Sequence, residues 1–131
     1  MPEVRIDRRR IWIGDQPHAL LSGEIHFWRL NPAQWRAVLD RAREMGLDMV
    51  ASYVCWEYHA LGEDRFDFTG ATDPQRNLIG FLELAAEMGL WLIIRPGPYI
   101  YGEWRNGGVP DSAACCHRLH PEFQRQASAY L

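Results

Sequence analysis

Residues 95–110 (RPGPYIYGEWRNGGVP) set Tyr99, Tyr101 and Trp104 around a single carboxylate, Glu103. Aromatic faces beside a carboxylate suit a sugar. The ring C–H groups pack on the aromatic face, while the carboxylate accepts hydrogen bonds from adjacent hydroxyls. Residues 53–59 repeat the theme with Tyr53, Trp56, Glu57, Tyr58 and His59. Each stretch taken alone also describes a structural aromatic cluster, since aromatics more often pack than bind. Pro96 and Pro98 fix backbone dihedrals, and Gly107-Gly108 permits a tight reversal.

Other reactive side chains are scattered. Glu24, Glu57 and Glu103 lie on three different loops and are the candidates for a pair of working carboxylates. His26 and His59 end neighbouring strands, but no third ligand has metal-site spacing, so hydrogen bonding in the pocket wall is the expected role of each. Cys115-Cys116-His117 carries soft-metal ligand types, against which stands the plainer reading of a loop coincidence. Arg95 is expected to brace the interior through an ion pair rather than to bind substrate.

The elements that must hold these residues alternate between strand and helix. VRI and IWI read as a short hairpin joined by a solvated turn carrying Arg8 to Arg10. Residues 19–27 (ALLSGEIHF) read as a strand running into a loop. In 31–46, Asn31 caps, Pro32 suits the first helical position, and Gln34 completes a capping box. Trp35, Val38, Leu39, Ala42 and Met45 make one apolar stripe that Gly46 stops. LDMVASYVCW (47–56) then has the length and apolar character of a strand covered on both faces.

The next cycle repeats this grammar. Asp73-Pro74 opens a helix with Leu78, Phe81, Leu82, Ala85 and Met88 on one face, stopped by Gly89, before the strand that starts LWLII. EMGLDMV (44–50) and EMGLWLI (87–93) match at an offset of 43 residues, each helix, Gly stop, strand and then loop. That pattern implies parallel strands joined by crossovers. A third helix starts at His120-Pro121, with Phe123, Ala127 and Leu131 on its apolar face. The expected fold class is α/β, an N-terminal hairpin plus about three βα units. A (β/α)8 barrel needs eight such units in ~250 residues, and its strand C-terminal ends carry the site. The first βα loop (HFWRLNP) lacks the glycine-rich phosphate fingerprint of a doubly wound sheet.

Four segments, SGEIHFWR, GLDMVASYVCWEYH, FDFTG and LWLIIRPGPYIYGEWRNGGVP, stand in an order and spacing that resembles glycoside hydrolase family 35, the β-galactosidase family. The family pattern is approximately SGxIHYxR, GLNxxxTYVxWNxHEP, FDFxG and LRPGPYICAEWxxGGxP, and the resemblance spans about residues 10–131. It implies a (β/α)8 catalytic barrel that hydrolyses terminal β-D-galactosyl linkages with retention and without metal or organic cofactor. It also implies substrate contacts at Tyr53 and Glu103. Tyr101-Gly102 replaces the family Cys-Ala pair and is expected to contribute backbone groups to the same pocket. HEP becomes His59-Ala60-Leu61, WN becomes Trp56-Glu57, TY becomes Ser52-Tyr53, and the Trp-Leu after Pro110 becomes Asp111-Ser112. These departures bear on sugar preference, not on the barrel. A retaining glycosidase needs two carboxylates ~5–5.5 Å apart, and the resemblance places both glutamates on later strands, beyond Leu131. Residues 1–131 are therefore expected to form the N-terminal portion of the catalytic domain. Two other readings compete: a non-catalytic sugar-binding fragment, and a barrel glycosidase of other specificity, such as a family 42-type enzyme.

Composition agrees with a globular domain and narrows the partners. The chain has 131 residues with a formal charge of −3 and 47% hydrophobic residues, which excludes disorder and lacks the basic footprint of a nucleic-acid binder. No apolar run approaches the ~20 residues of a membrane helix. After Arg8 to Arg10 the apolar stretch breaks at Gly14, Asp15 and Pro17, so no signal peptide is read there. Three cysteines, two of them adjacent, fit a reducing compartment, and the expected location is cytoplasmic. The expected partner is a galactoside or related carbohydrate. A sheet of three βα units leaves an open edge and an uncovered face, so the isolated chain is expected to be poorly soluble or oligomeric.

Overall fold

The computed structural model describes residues 2–19, 21–62 and 64–131. At the N-terminus, β1 (Val4–Ile6), β2 (Arg10–Ile13) and β3 (Gln16–Ala19) form an antiparallel meander. The expected hairpin thus gains a third strand. Gly14, at φ 59°, makes the tight reversal into β3, of which the sequence reading assigns only Ala19 to a strand. Pro17 is tolerated here because β3 is an edge strand. The expected strand over 19–27 is correspondingly shorter: Ala19 belongs to the meander, Leu20 lies outside the described residues, and β4 is only Gly23–Glu24.

The central sheet is β4–β5–β8, all parallel, with β5 (Met49–Tyr53) in the middle and β8 (Trp91–Arg95) on the edge. Register pairs Glu24 with Ala51 and Tyr53 with Arg95, so β5 and β8 finish level while β4 stops two residues short of them. Helix α1 (Trp35–Glu44) connects β4 to β5. The segment from β5 to β8 holds α2 (Trp56–His59), the small ladder β6 (Ala60–Gly62) and β7 (Arg65–Phe66), and α3 (Leu78–Glu87). After β8 come α4 (Asp111–Ala114) and α5 (Pro121–Tyr130). The order is three successive βα units in a mixed α/β arrangement; among the described residues the sheet is open and does not close into a ring.

The local signals act largely as their chemistry dictates. Asn31 accepts the Ala33 amide at 3.0 Å, Asp73 accepts that of Gln75 at 3.0 Å, and His120 accepts that of Glu122 at 3.2 Å. Gln34 makes no capping-box bond, because a 3₁₀ turn over Pro32–Gln34 puts it directly before α1. Gly46 and Gly89 end their helices at positive φ. Trp35, Leu39 and Ala42 of α1 meet Phe81 and Ala85 of α3, and Met88 just past its end, in the main core. There the Phe27 and Phe81 rings stack 5.2 Å apart, each ring contributing about 1.5–3 kcal/mol through burial. Two stripe residues are corrected. Met45 sits past the last turn of α1 and is 78% exposed, and Leu131 is exposed while Tyr130 takes the buried position on α5.

A second, smaller cluster packs Trp56 against Phe123, Ala127 and Tyr130 of α5. The Tyr130 hydroxyl donates to the carbonyl of Val54 at 2.9 Å, which locks α5 to the end of β5. Covered on both faces, β5 has Met49 to Ser52 buried. By contrast β8 pairs on one side only, and its Trp91 and Ile93 are exposed on one face. The uncovered face and open edge match the expectation for three βα units. His18 of β3 reaches Asp48 at 2.6 Å and meets Trp91 edge-on, so the meander seats at the N-terminal ends of the strands.

Candidate sugar-binding site

At the opposite, C-terminal ends of the strands, Tyr53 closes β5 and Arg95 closes β8. Their register makes them direct neighbours. The Arg95 guanidinium lies over the Tyr53 ring, 3.8 Å from its centroid, and donates to the Tyr53 hydroxyl at 3.2 Å. On its other side it forms a close ion pair with Glu24 of β4. Arg95 therefore joins all three strand ends, in the bracing role its position predicts. The pairing also leaves little net charge: Glu24 cancels the guanidinium at the rim of the sheet.

His26 completes this layer. Its ring stacks on Tyr53 at 5.2 Å and on Trp28 at 5.5 Å, and its Nε2 stands 3.5 Å from Glu24. Burial pushes the imidazole below its ordinary pKa, only partly countered by the Glu24 carboxylate, so His26 is neutral at pH 7. The buried Nδ1 finds no partner among the described residues. His59, the other expected wall residue, is instead fully buried beneath the loop. Its Nδ1 lies 2.7 Å from the Asp67 carbonyl and its ring packs on Phe27 and Phe68. The two histidines play unrelated parts, and among the described residues no three His, Cys, Asp or Glu side chains converge on a metal position.

A cavity of about 470 Å³ opens beside Tyr53 and Arg95, with Pro96, Tyr99, Ile100 and Tyr101 forming the rest of its wall. At its lip the backbone turns left-handed at three consecutive residues: Tyr101 at φ 67°, Gly102 at 27° and Glu103 at 47°. For non-glycine residues this region costs roughly 1–2 kcal/mol each, and strain of this kind concentrates at functional sites. Tyr101 is 74% exposed and the Glu103 side chain 91% exposed. Arg29 holds the turn from below. One of its guanidinium nitrogens donates to the Gly102 carbonyl, and another lies 3.7 Å from the Glu103 carboxylate. Sequence reading did not single out Arg29, although it closes the SGEIHFWR segment.

The expected aromatic ring around Glu103 is corrected. Trp104 turns inward, meets Trp28 edge-on at 5.1 Å, and donates its indole N–H to Glu57 at 2.6 Å. Glu57 also pairs with Arg105 at 2.6 Å and so acts as an anchor for the 95–110 loop. Trp56 belongs to the second core cluster, while Tyr58 packs on Trp28 and donates to Asp73 at 2.8 Å. Burial pushes the Tyr58 phenol up to about 12, and the hydrogen bond to Asp73 adds to the rise. The packing reading of aromatics thus holds for these three residues, leaving Tyr53, Tyr99 and Tyr101 on the cavity. The three carboxylates are committed to different arginines: Glu24 to Arg95, Glu57 to Arg105 and Glu103 to Arg29.

Asp67, in the FDFTG turn, was not singled out in sequence either. It is buried, and its two oxygens accept amides from Thr69 and Gly70 at 2.9 Å and from Thr72 at 2.7 Å. Burial alone would raise its pKa, but the Thr72 and Thr69 hydrogen bonds together overcome that and hold it well below the usual carboxylate range. The turn sets the start of α3, since Ile79 donates to the Phe68 carbonyl at 3.1 Å.

A polar and aromatic site at the C-terminal ends of parallel strands places the chain among α/β proteins whose loops carry the chemistry. The family described as glycosyl hydrolases family 35 matches residues 10–114, and the chain belongs to that family. It is 49% identical over 111 residues to an exo-beta-D-glucosaminidase of Thermococcus kodakarensis, covering 85% of this chain and 14% of that protein. To a beta-1,2-glucosyltransferase of Ignavibacterium album it is 50% identical over 95 residues, 72% of this chain and 13% of the other. To a beta-galactosidase of Bos taurus it is 39% identical over 108 residues, 82% and 16% respectively. The chain thus spans about one seventh of the length of these curated relatives. Their names differ in sugar and in reaction, so membership in the family does not fix the substrate to galactose.

Proposed function

We propose that this chain forms part of the sugar pocket of a retaining β-glycosidase that removes a terminal β-linked pyranosyl residue. The observation that carries the reading is the cavity at the strand ends, lined by Tyr53 and Tyr101 and edged by the strained Tyr101-Gly102-Glu103 turn. In this reading the Glu103 carboxylate accepts hydrogen bonds from sugar hydroxyls, Tyr53 offers its phenol, and the Tyr101-Gly102 backbone borders the pocket. Residues 1–131 belong to the N-terminal portion of a (β/α)8 catalytic domain, and the acid/base and nucleophilic carboxylates come from other strands. The Arg95–Glu24 pair supports this chemistry electrostatically. An uncompensated guanidinium at the rim would repel an oxocarbenium-like transition state, and Glu24 removes that penalty.

Within this reading an amino sugar is favoured at the non-reducing end. Glu103 presents an exposed carboxylate that Arg29 approaches only to 3.7 Å, open to an ammonium group, and the exo-beta-D-glucosaminidase relative is 49% identical where the bovine beta-galactosidase is 39%. A terminal β-D-galactosyl residue is the second reading, supported by the family pattern around Tyr53 and Glu103. A panel of p-nitrophenyl β-glucosaminide, β-galactoside and β-glucoside assayed with the full-length enzyme separates them through kcat/KM. Preference for the glucosaminide supports the first and preference for the galactoside the second. Sugar binding without turnover of any member would point to a non-catalytic lectin-like role and overturn both.

A further inference from the structure

Beyond the sugar pocket, α4 ends in two adjacent thiols whose sulfurs lie 3.7 Å apart. Cys115 is exposed and Cys116 is half-buried. A disulfide requires ~2.05 Å between sulfurs, and bridging adjacent residues strains the peptide between them. Cys115 has helical dihedrals, φ −69° and ψ −16°. The observed spacing instead equals the reach of two sulfurs bound to one atom. Two bonds of ~2.3 Å at the tetrahedral angle of zinc span ~3.8 Å, and a three-coordinate pyramidal centre, with its narrower angle, draws the sulfurs a few tenths of an ångström closer, within reach of a small side-chain rotation.

The surroundings determine what kind of atom fits. Zinc seeks four ligands in a structural site, whereas His117 already uses Nδ1 to accept the Leu119 amide at 3.2 Å. No third His, Cys, Asp or Glu joins the pair among the described residues. A centre that brings its own third substituent needs only two sulfurs. Beside Cys116 lies a cavity of about 390 Å³ walled by Tyr99, Val109 and Phe123, with Arg118 over the Tyr99 ring at 4.6 Å. Asn106 and Arg118 make part of the wall polar, and an aryl group would find its contacts on the Tyr99 and Phe123 faces.

We propose that Cys115 and Cys116 form a two-point binding site for mono-organo trivalent arsenicals, with the organic substituent seated in the Tyr99–Phe123 cavity. With phenylarsine oxide, two As–S bonds form and two S–H bonds break. The arsenic-bound oxygen leaves as water, taking both thiol protons, and no oxidation state changes. The hydrogen bond with Cys115 raises the Cys116 thiol above its ordinary pKa, and the reaction consumes thiols, so this protonation does not impede it. Two-point attachment exceeds one-point attachment by roughly 10²–10⁴-fold.

The test is titration of the full-length protein with phenylarsine oxide, read by binding isotherm and intact mass. Expected are one Cys115/Cys116-dependent adduct per chain with loss of one water, release by 2,3-dimercaptopropanol, and retention against 2-mercaptoethanol. Cys115→Ser and Cys116→Ser should each weaken binding about 100-fold with unchanged thermal midpoints. Methylarsine oxide should bind at least tenfold more weakly than the phenyl compound. Wild-type affinity in either single variant, or no adduct on these residues, overturns the site. Equal affinity for the phenyl and methyl compounds overturns the seating in the cavity.

Discussion

Glu103→Gln separates binding from folding better than any other substitution at the strand ends. The side chain is 91% exposed and its ion-pair partner, Arg29, stands 3.7 Å away. Loss of so exposed a pair costs about 0–1 kcal/mol, and glutamine occupies the same left-handed position at φ 47° with the same strain. The folded protein therefore loses almost nothing. The sugar loses more: a hydrogen bond to a carboxylate contributes about 1.5–3 kcal/mol against 0.5–1.5 for a neutral acceptor. The difference, about 1–2 kcal/mol, corresponds to a fall of roughly 5–30-fold in kcat/KM. The assay pairs kcat/KM on the preferred p-nitrophenyl glycoside with the thermal unfolding midpoint of the same full-length preparation. An unchanged kcat/KM would remove Glu103 from the pocket. A midpoint falling by several degrees would show that its role is structural, and the reasoning from exposure would fail.

Two further outcomes follow from the loop and turn. At Gly107 a Cβ would fall within the Tyr99 ring, and φ is already 61°. Gly107→Ala should therefore cost about 2–5 kcal/mol through overpacking and left-handed strain. It should displace Tyr99 and reduce kcat/KM; wild-type unfolding and activity would refute that geometry. For Asp67, the folded carboxyl lies below its unfolded value of ~3.9. Its stabilisation is fully present above about pH 4 and is lost as pH falls through the folded value. The stability gap between wild type and Asp67→Asn should be constant above about pH 5 and narrow towards pH 2. A gap independent of pH would show that the charge on Asp67 is irrelevant to the turn.

The fold was legible where local chemistry acts alone. Asn31, Asp73 and the stops at Gly46 and Gly89 are caps that depend on one or two neighbours, and each performs as its residue type requires. The bare face of β8 and the ion pair of Arg95 were legible from topology and burial cost. Residues whose fate depends on distant elements were not. Trp104 packs inward because Trp28 and Glu57 meet it there, two partners 76 and 47 residues away in the chain. Met45 keeps the helical period, yet α1 has already ended at Glu44. Asp67 looks like an ordinary turn residue until its oxygens are seen to gather four successive amides and two hydroxyls.

The one-sided pairing of β8 sets up a gradient of backbone protection across the sheet. Amides of β5 are enclosed by neighbours on both sides and should exchange with solvent only on global opening, whereas those on the outer edge of β8 have no such shelter. The loop carrying Tyr99 to Glu103 leaves directly from that less protected strand. Because that loop leaves an edge strand, pairing along the outer edge of β8 is expected to steady the strained turn as well.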